Sequence, residues 1–162
     1  MRTFGRFALF LLSFAALPLL AADVRSLNKT SDLRAIWPKK ATLRVVNLWA
    51  TWCAPCVAEM PDLRAIDVAF GEEVAIAGVS LDNLLPEGTP GKVVKFLDNQ
   101  KIAFPNVYWT GPPDALAEHF DFSGEMPVTI VYGRNGKELW RHQGRLDREK
   151  TIVQLRRLLR RP

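Results

Sequence analysis

The sequence predicts an α/β fold in which a central mixed β-sheet carries helices on both faces. Three observations lead there. Strand-like and helix-like patterns alternate from residue 43 to residue 120, which favours parallel strands joined by helical crossovers. Two of the strand-like runs, Leu43–Trp49 and residues 74–81, are mostly apolar and rich in β-formers, as buried strands are. The pattern then changes: residues 128–132 and 138–142 flank Arg134-Asn135-Gly136, the mark of a hairpin that adds antiparallel strands.

Taken in order, residues 1–22 stand apart from the rest. Arg2 and Arg6 form a short positive start, no acidic residue precedes Asp23, and residues 7–22 are apolar except for Ser13 and Pro18. This is the pattern of an export signal ending at the small residues Ala21 and Ala22. It is shorter than the roughly 20 apolar residues a spanning helix needs. A cleaved signal peptide over 1–22, followed by one domain over 23–162, is the expectation; a retained N-terminal anchor is the alternative. Leu20 departs from the usual small residue before such a cut. A signal of this form fits a bacterial precursor bound for the periplasm, an oxidising compartment.

Residues 23–42 read as mixed and irregular, with a turn at Trp37-Pro38. The strand Leu43–Trp49 follows. Residues 53–70 have helical spacing, with Val57, Met60, Leu63, Ile66 and Phe70 on related faces and Pro61 inside as a kink. After the strand at 74–81 comes a loop at 83–91 punctuated by Pro86, Gly88, Pro90 and Gly91. A helix over 91–100, a strand at Asn106–Trp109 and a helix at Pro113–Phe120 lead to the hairpin. Asp147 then serves as the N-cap of a last helix. The predicted order is β-α-β-α-β-α-β-β-α.

Composition bounds the function. The 162 residues are 48% hydrophobic and 24% charged, an ordinary globular balance. Two cysteines are too few for a disulfide-stapled scaffold. Losing Arg2 and Arg6 with the signal lowers the net charge from +5 to +3, a mild excess that does not point to nucleic acid. The basic tail, Arg156, Arg157, Arg160 and Arg161, reads as a solvated helix end favoured by the dipole.

The chemistry lies in Trp49-Ala50-Thr51-Trp52-Cys53-Ala54-Pro55-Cys56, a C-x-x-C at a strand-to-helix junction. Unpaired N–H groups and the dipole at a helix N-terminus stabilise a thiolate at Cys53, lowering thiol pKa values in such motifs to roughly 3.5–7. Three residues make nearly one helical turn, so Cys56 reaches back to Cys53. Pro55 sits in the first turn, where its missing N–H costs little. Cys53 attacks and Cys56 resolves in thiol–disulfide exchange. Glu59, three residues further along the same helix, is a candidate proton acceptor for Cys56; the plainer reading is a first-turn acid that complements the dipole.

Within this motif Trp52 reads as an exposed contact at the rim and Trp49 as core or site wall. Met60 reads as core. His119 and His142 read as surface or satisfied histidines. Two other functions fit two cysteines. The thiolates with Met60 or a histidine could hold Cu(I) or zinc in a metallochaperone-like role, although zinc sites want four ligands and no second cysteine pair exists. A binding domain with a structural disulfide is the other, weakened because so short a loop constrains the unfolded chain little. No metal site and no cofactor is assigned.

The segment Val46-Asn47-Leu48-Trp49-Ala50-Thr51-Trp52-Cys53-Ala54-Pro55-Cys56, followed by Glu59, Met60 and Pro61, resembles the thioredoxin-like proteins, and among them the periplasmic TlpA, ResA and cytochrome c-maturation group. The resemblance spans roughly residues 40–160. It implies a thioredoxin-like fold with the C-x-x-C at a helix N-terminus and a cis-proline facing it. Met126-Pro127-Val128-Thr129 matches that position, so Pro127 should be cis and the Met126 backbone should bind a partner as an added strand. It also implies partner contacts at Trp52, Ala54 and Pro55. Disulfide- or dithiol-containing periplasmic proteins become the clients, with an upstream membrane electron donor and membrane attachment only if the N-terminal segment is retained. Two departures carry meaning. Asn47 stands where cytoplasmic thioredoxins have a buried aspartate, which strengthens Glu59 as the proton acceptor. Gly124-Glu125-Met126-Pro127 has one more residue than the Gly-x-Pro of many relatives, which sets its partner-binding geometry apart.

Overall fold

The computed structural model describes residues 22–37 and 40–160. The expected signal at 1–22 lies outside the described residues but for Ala22, as do Pro38 of the expected turn and Arg161 of the basic tail.

Among the described residues six strands form one sheet: β1 (Val24–Leu27), β2 (Leu43–Trp49), β3 (Val74–Ser80), β4 (Asn106–Trp109), β5 (Val128–Gly133) and β6 (Glu138–Gln143). Their spatial order is β1-β4-β3-β2-β5-β6. The pairs β1·β4, β4·β3 and β3·β2 are parallel, and β2·β5 and β5·β6 are antiparallel, giving the mixed sheet expected. Among the described residues four α-helices accompany it: α1 (Ala54–Phe70), α2 (Pro90–Gln100), α3 (Pro113–Phe120) and α4 (Arg148–Leu159).

Period two along β2 divides the core. Leu43, Val45 and Trp49 face a cluster with Met60, Leu63 and Ile66 of α1, Val93 and Leu97 of α2, and Leu155 and Leu158 of α4. Val46 and Leu48 face the opposite cluster, with Leu116 and Phe120 of α3. Helices therefore cover both faces. β2 and β3 are buried on both, which is why their sequences run apolar without alternation.

Residues 23–42 correct the sequence reading. They are not irregular: Val24–Leu27 pairs in parallel with Asn106–Trp109, and a 3₁₀-helix at Thr30–Ile36 buries Leu33 and Ile36 against the second cluster. The strand is four residues long at the sheet edge and half exposed, so it carries no period. What makes it a strand is a partner about eighty residues away.

The local signals worked where both partners are close in sequence. Asp147 caps α4 by accepting from Lys150 N at 3.0 Å. Gly78 in β3 has a packing reason: a Cβ there would meet Asn106 Oδ1 at 2.0 Å and Trp49 Nε1 at 2.7 Å. The bare backbone lets the Trp49 indole cross the sheet and donate to Asn106 Oδ1 at 3.1 Å.

Candidate active site

β2 ends at Trp49, and a short turn delivers Cys53 to the start of α1. Cys53 is the N-cap residue, in extended conformation, and its Sγ accepts from Cys56 N at 3.3 Å. Ala54 and Pro55 fill the first turn, both exposed. Cys53 and Cys56 are joined as a disulfide with Cα atoms 5.2 Å apart. The two sulfurs are not equivalent in access: Cys53 is 7% exposed and Cys56 is 0%. The helix N-terminus turns the Cys56 N–H and the positive end of the dipole toward a negative charge on the outer sulfur.

Trp52 stands beside the pair, 43% exposed, while Trp49 is fully buried in the core behind it. Met60 is buried in that same core. On the neighbouring strand, Leu48 pairs with Val128, which sets Met126-Pro127 beside the end of β2 where the cysteine turn departs. The Met126–Pro127 bond is cis. Met126 is half-buried and packs against the cluster that contains both cysteines. The additional residue before it is anchored: Gly124 takes φ +99°, a conformation that favours glycine, and Glu125 accepts from Gln143 Nε2 of β6. Pro127 O accepts from Gly144 N at 2.8 Å, so the loop is tied to the far end of the hairpin.

Glu59 is fully buried one turn below Cys56, not an exposed first-turn acid. Its Oε1 accepts from Asn47 Nδ2 at 2.7 Å and its Oε2 from Leu146 N at 2.9 Å. Burial pushes the carboxyl up to about 7, against the lowering effect of these two hydrogen bonds. Asn47 is itself oriented by a second bond, to Thr129 Oγ1 at 3.1 Å, and its Oδ1 is buried with no partner among the described residues. Asn47 thus acts as a donor to the Glu59 carboxylate.

A second buried carboxylate escaped the sequence reading. Asp82, immediately beyond β3, accepts from Thr51 N at 3.1 Å, from Thr51 Oγ1 and from Ser80 Oγ at 2.7 Å. It ties the β3 exit to the turn two residues before Cys53. Ser80-x-Asp82 after a buried strand was the only local signal. Thr129 and the Leu146 backbone were also missed, because they meet Asn47 and Glu59 from 82 and 87 residues away. The two histidines lie elsewhere, His119 exposed on α3 and His142 half-buried on β6, where its Nε2 contacts Arg145 O at 3.2 Å. No cluster of three or more His, Cys, Asp or Glu side chains suited to a metal occurs among the described residues.

With this geometry in hand, comparison with known proteins becomes specific. The family model described as Redoxin matches residues 14–159. The thiol-disulfide oxidoreductase ResA of Oceanobacillus iheyensis is 38% identical over 96 residues, covering 57% of this chain and 45% of that protein. The thiol:disulfide interchange protein DsbE homolog of Paracoccus denitrificans is 31% identical over 107 residues, covering 66% and 54%. The chain thus spans about half the length of the curated relatives it matches. Among solved structures, a thioredoxin-related protein from Neisseria meningitidis serogroup B superposes with TM-score 0.60 at 28% identity, covering 74% of this chain and 86% of that one. A thiol-disulfide isomerase from Corynebacterium glutamicum superposes with TM-score 0.67 over 90% and 97%, at 22% identity, and bears on the fold alone. The fold is thioredoxin-like.

Proposed function

The chain belongs to the Redoxin family, and from that membership we propose that it is an exported thiol–disulfide oxidoreductase working through Cys53 and Cys56. The observation that carries the reading is the pair itself: a disulfide at a helix N-cap, one sulfur slightly accessible and the other sealed above a buried carboxyl.

The reaction runs as a reduction of clients. The Cys53 thiolate attacks one sulfur of a client disulfide; a mixed disulfide forms and the client's other sulfur leaves as thiolate. Glu59 takes the proton of Cys56, whose sulfur then attacks Cys53 Sγ. The second client sulfur leaves, the client holds two thiols, and the chain holds the Cys53–Cys56 disulfide. A carboxyl with pKa about 7 suits this transfer, since a base works best near the operating pH. Trp52, Ala54 and Pro55 form the rim that a client meets, and the Met126 backbone beside Pro127 pairs with it in extended form.

Export to the periplasm rests on the sequence of residues 1–22; among the described residues no helix is long and apolar enough to cross a membrane. In an oxidising compartment a reductant needs an upstream membrane donor to restore its dithiol. The clients in this reading are the oxidised cysteine pairs of apocytochrome c, copper-site cysteines or other oxidised exported proteins. The reducing direction is favoured because Ala54-Pro55 lacks the histidine of the strong oxidant. A potential near −120 mV, as in that oxidant, would reverse it; one near −270 mV supports it.

The direct test is a trap. Cys56→Ser leaves Cys53 able to attack and unable to be released. Expressed in a periplasm, it is expected to accumulate mixed disulfides that vanish on reduction and with Cys53→Ser. A variant that captures no client would overturn the exchange mechanism.

A further inference from the structure

The face of the sheet away from α1 holds a cavity of about 570 Å³ that the thiol chemistry does not use. Its volume falls in the range of small-molecule sites, about 300–1,000 Å³. The sheet supplies its floor through Arg44 and Val46 of β2, Val79 of β3 and Tyr132 of β5. Leu33 and Ile36 of the 3₁₀-helix and Phe120 of α3 form apolar walls, and Arg134 of the β5–β6 turn closes one side.

The lining is one-sided in charge. Arg34, Arg44 and Arg134 contribute to it, and among the described residues no aspartate or glutamate does. Arg44 is the unusual member. It projects from a strand buried on both faces, and its Nε is buried with no hydrogen-bond partner among the described residues. A buried charged donor without an acceptor is costly, and a guanidinium is shaped to take two oxygens of a carboxylate. Tyr132 lies directly opposite Arg44 in the antiparallel register. Burial, followed by nearby Glu138, pushes its phenol up to about 12, so it presents an O–H donor. Glu138 is itself held by Arg141 at 3.0 and 2.8 Å. Arg134 is steadied by donating from Nη2 to Thr42 Oγ1 at 3.2 Å. His119, with its pKa lowered by burial and by Arg34, adds a polar ring to the wall.

The geometry points to a binding site for an organic carboxylate with an apolar body, its head on Arg44, Tyr132 and Arg134 and its body against Leu33, Ile36 and Phe120. Three guanidiniums lining one cavity favour an anionic head, and the apolar walls give its body a surface to bury. The site does not depend on the cysteines or on the activity proposed for them.

Decanoate is a suitable probe, with decanol as its neutral counterpart and inorganic phosphate as an anion without a body. Titration of the full-length chain, followed by NMR of the Arg44 side-chain N–H and the Trp37 indole, is expected to saturate at one decanoate. Decanol and phosphate should each bind at least tenfold more weakly. Arg44→Met, which keeps the length and loses the charge, and Arg134→Ala, at an exposed position, should each weaken decanoate at least tenfold. Because Arg134 sits in a turn, its variant keeps the test informative if Arg44→Met fails to fold. Equal affinity for decanol, equal affinity for phosphate, unsaturable shifts, or full affinity in Arg134→Ala would each overturn the proposal.

Discussion

Glu59 and Asp82 are both carboxylates with no exposure, both next to the cysteine turn, and they are held in different ways. Each oxygen of Glu59 accepts one bond, from Asn47 Nδ2 and from Leu146 N, and burial outweighs both, raising the group to about 7. Asp82 accepts from three donors on two segments: Thr51 N, Thr51 Oγ1 and Ser80 Oγ. One carboxyl lies one helical turn beyond Cys56 with few ties and a proton within reach at neutral pH. The other stitches the end of β3 to the residue that precedes Trp52-Cys53. The difference is one of tethering: Glu59 has one donor on each oxygen and burial dominates it, whereas Asp82 binds two separate segments together.

The largest expected effect tests the loop-holding half. Asp82→Ala orphans three donors, at about 1–3 kcal/mol for each buried group left unpaired. Thr51 is only half-buried, so water recovers part of this. A loss of about 4 kcal/mol in unfolding free energy is expected, read by urea denaturation of the oxidised protein. A loss under about 1 kcal/mol would mean the network holds nothing.

Glu59→Gln tests the other half, through a pH profile rather than a single stability. A carboxyl raised in the folded state binds its proton there at pH values where the unfolded chain has released it. Its contribution is whole below about 4.5 and is lost as pH rises to about 7. At about 1.4 kcal/mol per pH unit this amounts to about 3 kcal/mol across the window. The wild type is therefore expected to lose stability relative to Glu59→Gln between those limits. Half-buried Asp67, also pushed up by burial, is common to both proteins and cancels. The glutamine amide faces Leu146 N, so absolute stability falls and only the slope is diagnostic. In stopped-flow exchange the same variant should slow release of the mixed disulfide and spare its formation. Parallel pH profiles and an unchanged release step would return Glu59 to a structural role.

The contrast also marks how far the sequence could be read. β2, β4 and α3 were legible to the residue because their patterns are local, and the Asp147 cap because a cap and its N–H lie three residues apart. Glu59 was legible as a position on the cysteine helix, and the cis bond before Pro127 as a feature of the family it resembles. The holding groups were not. Asp82 meets Thr51 across 31 residues, Thr129 meets Asn47 across 82, and β1 finds β4 only once the sheet is built. Apart from Ser80-x-Asp82, none of these leaves a period or a motif. Arg44 was a signal passed over: a charge inside an otherwise apolar buried strand marks a place where something must answer it.

The smallest expected effect sharpens the account of Glu59 itself. Thr129→Val keeps the shape of a buried side chain and removes the acceptor that holds Asn47 Nδ2 at 3.1 Å. One lost neutral hydrogen bond is worth about 1 kcal/mol. The consequence for Glu59 is more telling than the cost. Asn47, freed on one side, is a poorer donor to Oε1, and that bond is one of the two that hold the carboxyl down against burial. Its pKa should therefore rise further in Thr129→Val, read as an upward move of the carboxyl C=O infrared titration that Glu59→Gln abolishes. A midpoint that stays put would show that Asn47 is oriented by packing rather than by Thr129. A midpoint that falls would show that Asn47, released from the threonine, becomes the better donor to the carboxylate.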